Sequence, residues 1–208
     1  MNLATARRDA ISAKFRSLYG TEPTCWVRAP GRAELLGTDT DDHLGYVMTM
    51  GIHLDTWIAF KPTGNNAVRV HSMNLENHMQ YAIGMEPDQA AGTWDRYISG
   101  VSRSLRLRGY PCRGVDAIVH SIVPIGGGLS SSASLEVATA LMFQAAGGFS
   151  ISKLEIAEAC QQEQGGHEHK PTYGPFHPAQ PSAQLGCQIL HRHNYSFSQS
   201  GGSNSGNN

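Results

Sequence analysis

The sequence has little charge and lacks the imbalance of charge that nucleic-acid-binding proteins show. Charged residues make up 16% of the 208 residues, and 16 Lys and Arg stand against 17 Asp and Glu, so the formal net charge is -1. This balance gives no electrostatic reason to expect a nucleic acid or an anionic membrane as a partner. Hydrophobic residues reach 40%, which excludes wholesale disorder and allows a buried core.

Long apolar runs and paired cysteines are also missing. No segment approaches the ~20 apolar residues of a membrane helix, and no apolar signal region follows the basic pair Arg7 and Arg8. The cysteines are spread without a C-x-x-C pair, which argues against a disulfide framework or a zinc knuckle: Cys25, Cys112, Cys160 and Cys187. The sequence therefore predicts a soluble, cytoplasmic protein.

The spacing of apolar residues and the positions of glycine predict the secondary structure. Helical spacing predicts four helices: one that ends at Gly20, one from about Trp94 to Gly109, one from Ser131 to Ala146, and one from Lys153 to about Gln162. Runs rich in β-branched and aromatic residues predict strands at 24–29, 46–60, 67–72 and 115–121. Ser152 and Glu155 have the spacing of a capping box, which places the start of the last helix at Lys153.

The composition changes after Glu163. Residues 164–208 contain three charged residues, half of the ten histidines and four of the ten prolines, and they end in GGSNSGNN. Because this stretch has neither helical nor strand periodicity, we expect a disordered tail. Its histidines and cysteine are suitable zinc ligands but lack the spacing of a zinc finger, so adventitious histidines are favoured over a metal site: His167, His169, Cys187, His191 and His193.

The segment PIGGGLSSSAS, Pro124 to Ser134, lies between a predicted strand and a predicted helix. Three glycines allow a close approach of the backbone to a ligand, and the N–H groups of a helix start attract anions. The segment has neither the Gly-Lys-[Ser/Thr] of a Walker A loop nor the third glycine of a Rossmann fingerprint. It predicts a phosphate-binding loop, with a flexible loop and a serine N-cap as the alternative.

This loop, together with APGRAELLGTDTDDHLGYVMTMGI from Ala29 to Ile52, resembles the galactokinase branch of the GHMP small-molecule kinases. The resemblance covers residues 10–163. It implies an α+β fold of the ribosomal protein S5 domain 2-like type, a mixed sheet with helices on one side, in which residues 1–163 form the N-terminal kinase domain. On this interpretation residues 164–208 are an unrelated tail and the C-terminal domain of the family is absent.

The resemblance also implies the substrates and the residues of the site. ATP donates a phosphoryl group to the anomeric hydroxyl of a sugar, Mg²⁺ assists, and Arg32, after a predicted Pro30-Gly31 turn, supplies positive charge beside the acceptor oxygen. The implied sugar-binding residues are Arg32, Thr38, Asp39 and Asp41. The implied nucleotide-binding residues are Pro124, Gly126, Gly127, Gly128, Leu129, Ser130, Ser131, Ser132, Ala133 and Ser134. Candidate magnesium ligands are Ser131, Ser132 and Glu163. A calcium-type loop at the aspartates is disfavoured, because the glycine and distal glutamate of an EF-hand are missing.

The sequence departs from the family pattern at two places. Galactokinases have Gly-Glu-His-Thr-Asp-Tyr where this chain has Gly37-Thr38-Asp39-Thr40-Asp41-Asp42. The sequence therefore leaves open which arrangement of sugar hydroxyls this segment would bind. The Gly-x-x-Asp-Gln segment of the family is absent, no aspartate follows Asp116, and Gln164 stands where a metal-binding glutamate is expected. We therefore expect a crippled galactokinase-like enzyme, with a kinase for arabinose or galacturonate, or a non-catalytic sugar and ATP sensor, as alternatives.

Overall fold

The computed structural model describes residues 3–36, 48–87, 94–164 and 188–191. Within these residues the chain forms four helices and six strands. The helices are α1 (Leu3–Tyr19), α2 (Asp95–Leu107), α3 (Ser131–Gly147) and α4 (Lys153–Gln164), and the strands are β1 (Cys25–Leu36), β2 (Met48–Pro62), β3 (Ala67–Ser72), β4 (Asn77–Ala82), β5 (Val115–Ser121) and β6 (Gln188–His191). All four predicted helices and all four predicted strands are present.

The strands form one mixed sheet in the order β4-β3-β5-β2-β1-β6. β3 and β5 are parallel neighbours, and the other neighbouring pairs are antiparallel. This agrees with the α+β class that the family resemblance implies.

Alternating side chains of the sheet form two separate cores on its two faces. One core includes Val27, Ile58, Val119 and residues of α2, α3 and α4. The other joins Trp26, Ala59 and Ile118 to Ile11 and Phe15 of α1. Because neighbouring residues of a strand point to opposite faces, α1 covers the face opposite the other three helices. The expectation that all helices lie on one side is thus wrong for α1.

Polar contacts as well as apolar ones hold α1 to the sheet. The Arg7 guanidinium donates to Asp55 Oδ1 at 2.5 Å and to His120 Nδ1 at 2.8 Å, and it lies 4.6 Å from the centre of the Trp57 ring. Trp57 Nε1 donates to the other Asp55 oxygen at 2.9 Å. These contacts join α1 to β2 and to β5, the strand that precedes the glycine loop.

The predicted turn at Pro30 and Gly31 is wrong, because both residues lie within β1. The pairing of β1 with β2 shifts in register between Pro30 and Arg32, and the strand continues beyond this irregularity to Leu36. In the described structure the outer edge of β1 pairs with β6 only from Cys25 to Arg28. Pro30 therefore interrupts no ladder on that side, and a proline is tolerated.

Two strands were not expected from the sequence. β4 has only two buried apolar residues, Met79 and Tyr81, too few to show a clear period. β6 lies in the segment for which a tail without strands is predicted, and it pairs with the edge of β1. An existing strand edge supplies the backbone partners, so β6 needs no apolar periodicity of its own. The other residues of the predicted tail, 165–187 and 192–208, lie outside the described residues.

Candidate functional site

The glycine loop connects β5 to α3 and has an unusual backbone conformation. Gly126 and Gly128 have φ of 72° and 69°, and a Cβ added to either would meet no atom within 4 Å. Ser130, the N-cap of α3, also has a positive φ of 57°, and its side chain makes no capping hydrogen bond. Such strain in a non-glycine residue is typical of functional loops. The loop thus presents open backbone at a helix N-terminus, where the first N–H groups have no partner within the helix.

Gly127 serves the packing of the loop itself. Its N–H donates to the Pro124 carbonyl at 3.4 Å, and a Cβ on Gly127 would lie only 2.9 Å from Pro124 Cβ. A side chain at this position would therefore distort the turn before it reached any ligand.

The loop is attached directly to the strand that carries Arg32. The Arg32 N–H donates to the Leu129 carbonyl at 3.1 Å. A Cβ on Gly31 would lie 2.9 Å from that same oxygen and 3.1 Å from Ile52 Cδ1, so a larger residue at position 31 would separate β1 from the loop. The two sequence motifs of the predicted site are therefore in contact.

A group of hydroxyls, buried at Ser134 and Thr56 and half-buried at Ser121, holds the start of α3 to the sheet. Ser134 Oγ lies 2.9 Å from the Ala29 carbonyl and 2.8 Å from Thr56 Oγ1, and Thr56 Oγ1 lies 2.9 Å from Ser121 Oγ. Ser134 is 2% exposed, so its hydroxyl anchors the helix rather than facing a ligand. No local sequence pattern indicates Thr56 and Ser121, because their roles depend on contacts between strands.

An open cleft of about 540 Å³ lies over the loop. The described residues that line it include Arg32, Glu34, Thr56, Ser72, Asn74, Leu75, Trp94, Tyr97, Val119, Ser121, Ile125, Gly126, Gly128, Ser130, Ser131, Ser132 and Leu135. The structure thus brings Arg32 together with the glycine loop and its serines, as the family resemblance implies.

The cleft is also lined by residues outside the predicted site. Glu34 accepts a hydrogen bond from the Arg32 guanidinium at 3.3 Å. Trp94 and Tyr97 come from the start of α2, and Arg96 donates to the Tyr97 hydroxyl at 2.9 Å. Glu34 lies in the family motif from Ala29 to Ile52 without a role of its own, and Trp94 and Tyr97 lie at a predicted helix start, so no local signal distinguished them.

Several predicted site residues cannot be located in the cleft. Thr38, Asp39 and Asp41 lie outside the described residues, so their sugar-binding roles stay predictions. Glu163 lies in the last turn of α4, and its role as a metal ligand also stays a prediction. Among the described side chains, no group of three or more His, Cys, Asp or Glu is placed to hold a metal ion. No helix within the described ranges is long and apolar enough to cross a membrane.

Two signatures of known protein families match the segments that contain the two sequence motifs. The galactokinase galactose-binding signature matches residues 13–62, and the GHMP kinases N terminal domain matches residues 96–176, which is beyond the boundary predicted at Glu163. Galactokinase of Chloroflexus aurantiacus is 37% identical over 161 residues, 77% of this chain and 40% of the relative. Galactokinase of Thermotoga maritima is 37% identical over 136 residues, 65% of this chain and 37% of the relative.

Solved structures show the same fold. Lactococcus lactis galactokinase complexed with galactose superposes with a TM-score of 0.70 and 24% identity, over 78% of this chain and 42% of that chain. Methanococcus jannaschii mevalonate kinase superposes with a TM-score of 0.58 and 20% identity, over 70% of this chain and 47% of that chain. The chain spans about 40% of the length of the curated relatives such as the Chloroflexus enzyme. The chain therefore carries, in their order along one fold, both sequence signatures that are found in the galactokinase branch of the GHMP kinase family.

Proposed function

We propose that this chain is the part of a galactokinase-type kinase that binds ATP and the sugar, and that the reaction transfers a phosphoryl group from ATP to the anomeric hydroxyl of galactose. The observation that carries the proposal is the contact between β1 and the glycine loop, where Arg32 N–H donates to the Leu129 carbonyl at 3.1 Å. Phosphoryl transfer depends mainly on positioning and on neutralising charge. A cation and a phosphate-binding loop in one cleft meet both requirements.

The cleft has the features that ATP requires. Gly126 and Gly128 leave open space above the backbone, so phosphate oxygens can approach the N–H groups at the start of α3. Trp94 and Tyr97 line the same cleft and offer aromatic surface to a nucleobase. Arg32 lines the same cleft as the loop serines and would stabilise negative charge on the transferred group.

Ser131 and Ser132 line the cleft, and their hydroxyls are of the hard oxygen type that Mg²⁺ prefers. We assign them as magnesium ligands, with Glu163 as a further candidate. The ion, when bound, neutralises part of the phosphate charge.

We assign sugar binding to Arg32 and to Thr38, Asp39 and Asp41. Galactose is favoured over arabinose or galacturonate because residues 13–62 match the galactose-binding signature. The second candidate function is a non-catalytic sugar and ATP sensor, and it is favoured by one observation: no aspartate follows Asp116 in the sequence, so the carboxylate that would assist the sugar hydroxyl is missing from its usual segment.

A chimera tests the proposal. Residues 3–162 would replace the matching part of the Chloroflexus galactokinase, which supplies the remainder of the kinase. We expect the chimera to form ADP in the presence of ATP and galactose, and an Arg32→Gln chimera to be slower by about 10²-fold, as for loss of a charge-stabilising donor. A folded chimera that binds ATP without galactose-dependent ADP formation would support the sensor instead.

A further inference from the structure

Two charged side chains face each other on one wall of the cleft. Arg32 and Glu34 are two residues apart on β1, so both point to the same face of the strand. Arg32 Nη2 lies 3.3 Å from Glu34 Oε1, and the side chains are 46% and 29% exposed. Among the described residues that line the cleft, these two are the charged ones.

The formal charge of the described cleft wall is therefore zero. A nearby carboxylate lowers the attraction of a guanidinium for phosphate, because it pairs with the cation and repels the incoming anion. The repulsion grows with the negative charge of the ligand. Mg²⁺ removes part of that charge from ATP, so Glu34 should oppose metal-free ATP more strongly than MgATP.

We propose that Glu34 is a specificity-determining residue that makes the cleft discriminate against phosphate ligands lacking a bound metal ion. The proposal rests on the proposed function, namely that the glycine loop binds the phosphates of a nucleotide. Glu34 acts here through its charge and through its pairing with Arg32. The backbone N–H groups of the loop remain the main source of affinity for the nucleotide phosphates.

The test measures the affinity of Glu34→Gln for ATP by calorimetry, once with EDTA and once with excess Mg²⁺. We expect tighter binding by about fivefold for metal-free ATP and by about twofold for MgATP, the scale of a partly exposed ion pair. The gain should shrink in high salt, because ions screen exposed charges.

Glu22→Gln is the matched control. Glu22 pairs with Arg16 at 2.5 Å, its side chain is 35% exposed, and it does not line the described cleft. The Glu22→Gln substitution removes the same charge from the chain, so the affinity of this variant for either form of ATP should equal that of the unchanged protein. An equal gain in Glu22→Gln would overturn the proposal in favour of an effect of net charge.

Two further outcomes would overturn the assignment of Glu34. Weaker binding of MgATP by Glu34→Gln, with metal-free ATP unchanged, would make Glu34 a metal ligand. Unchanged affinity for both forms would make the ion pair purely structural. If the unchanged protein, folded by circular dichroism, bound neither form of ATP, the proposed nucleotide site itself would fail, and the inference with it.

Discussion

Glycines in the loop between β5 and α3 serve different purposes at neighbouring positions. Gly126 and Gly128 have the positive φ that glycine tolerates. Gly127 is required for another reason, because an added Cβ at this position would lie 2.9 Å from Pro124 Cβ. A substitution that tests ligand approach should therefore be made at Gly128, where the added atom meets open space.

We predict that Gly128→Ala lowers the affinity for ATP by at least about tenfold, or ~1.4 kcal/mol. On the proposed function, the new methyl group lies on the surface that the ATP phosphates approach, and a positive φ costs an alanine about 1–2 kcal/mol. Calorimetric titration with ATP measures the affinity. Gly20→Ala is the matched control, because Gly20 has the same φ of 69°, also has no atom within 4 Å, and lies at the end of α1. Equal affinity in the two variants would contradict phosphate binding at Gly128.

A second residue-scale effect concerns His120, which accepts a hydrogen bond from Arg7. Burial and the charge of Arg7 lower the pKa of His120 below its ordinary value, although Asp55 opposes the shift. The folded state thus favours the neutral imidazole, and the unfolded state binds a proton more readily. The contribution of His120 is therefore fully present above the ordinary pKa of about 6.5 and is lost as pH falls through its folded pKa.

We predict that the free energy of unfolding is smaller at about pH 5.5 than at about pH 7.5. Urea unfolding at the two pH values measures it. Burial and Lys14 lower the pKa of His71 as well, so a His120→Asn variant should retain a pH dependence that is shallower than that of the unchanged chain. The same slope in both proteins would show that His120 does not contribute.

At the scale of elements, the close approach of β1 to the glycine loop decides whether a site exists. The contact depends on Gly31, because an added Cβ there would lie 2.9 Å from the Leu129 carbonyl oxygen and 3.1 Å from both Ile52 Cδ1 and Val123 Cγ1. The Ser134 hydroxyl fixes the start of α3 beside the same strand through the Ala29 carbonyl, and beside β2 through Thr56. Arg32 and the loop are consequently held in one position by backbone and buried contacts.

We predict that Gly31→Ala destabilises the protein by about 1–3 kcal/mol, the usual cost of overpacking, because the methyl group would push the loop away from β1. Chemical denaturation measures the loss. Gly51→Ala is a suitable control: Gly51 pairs with Arg32 across the β1–β2 ladder, and its added Cβ would meet only Pro30 Cγ, at 3.9 Å. A loss as large in Gly51→Ala would attribute the effect to strand propensity instead.

At the scale of the whole molecule, the chain carries two family signatures but only about 40% of the length of its curated relatives. We predict that the chain as written forms no sugar-dependent ADP above background with galactose, arabinose or galacturonate. A positioned general base contributes typically 10² to 10⁴ in rate, and no aspartate follows Asp116. A coupled assay for ADP measures the turnover. Robust activity that is lost in Asp41→Ala would show that Asp41 has taken over this role.

The sequence by itself determined the features that depend on neighbouring residues. The glycine loop, the helix that follows it and the capping box are local, and the structure confirms the box through Ser152 N–H to Glu155 at 3.0 Å and Glu155 N–H to Ser152 at 3.2 Å. These interactions also lower the pKa of Glu155 to about 2. Short-range spacing was sufficient for them, because each partner lies within one helical turn of the other.

Only the tertiary structure decided which distant residues share the cleft and which face of the sheet each helix covers. Glu34 and Trp94 meet there through the pairing of strands and the packing of α2, and α1 covers the far face because Ile11 and Phe15 fit against Trp26. The strand β6 likewise depends on the free edge of β1. These choices are set by packing and backbone pairing between residues far apart in the chain, which local periodicity does not encode.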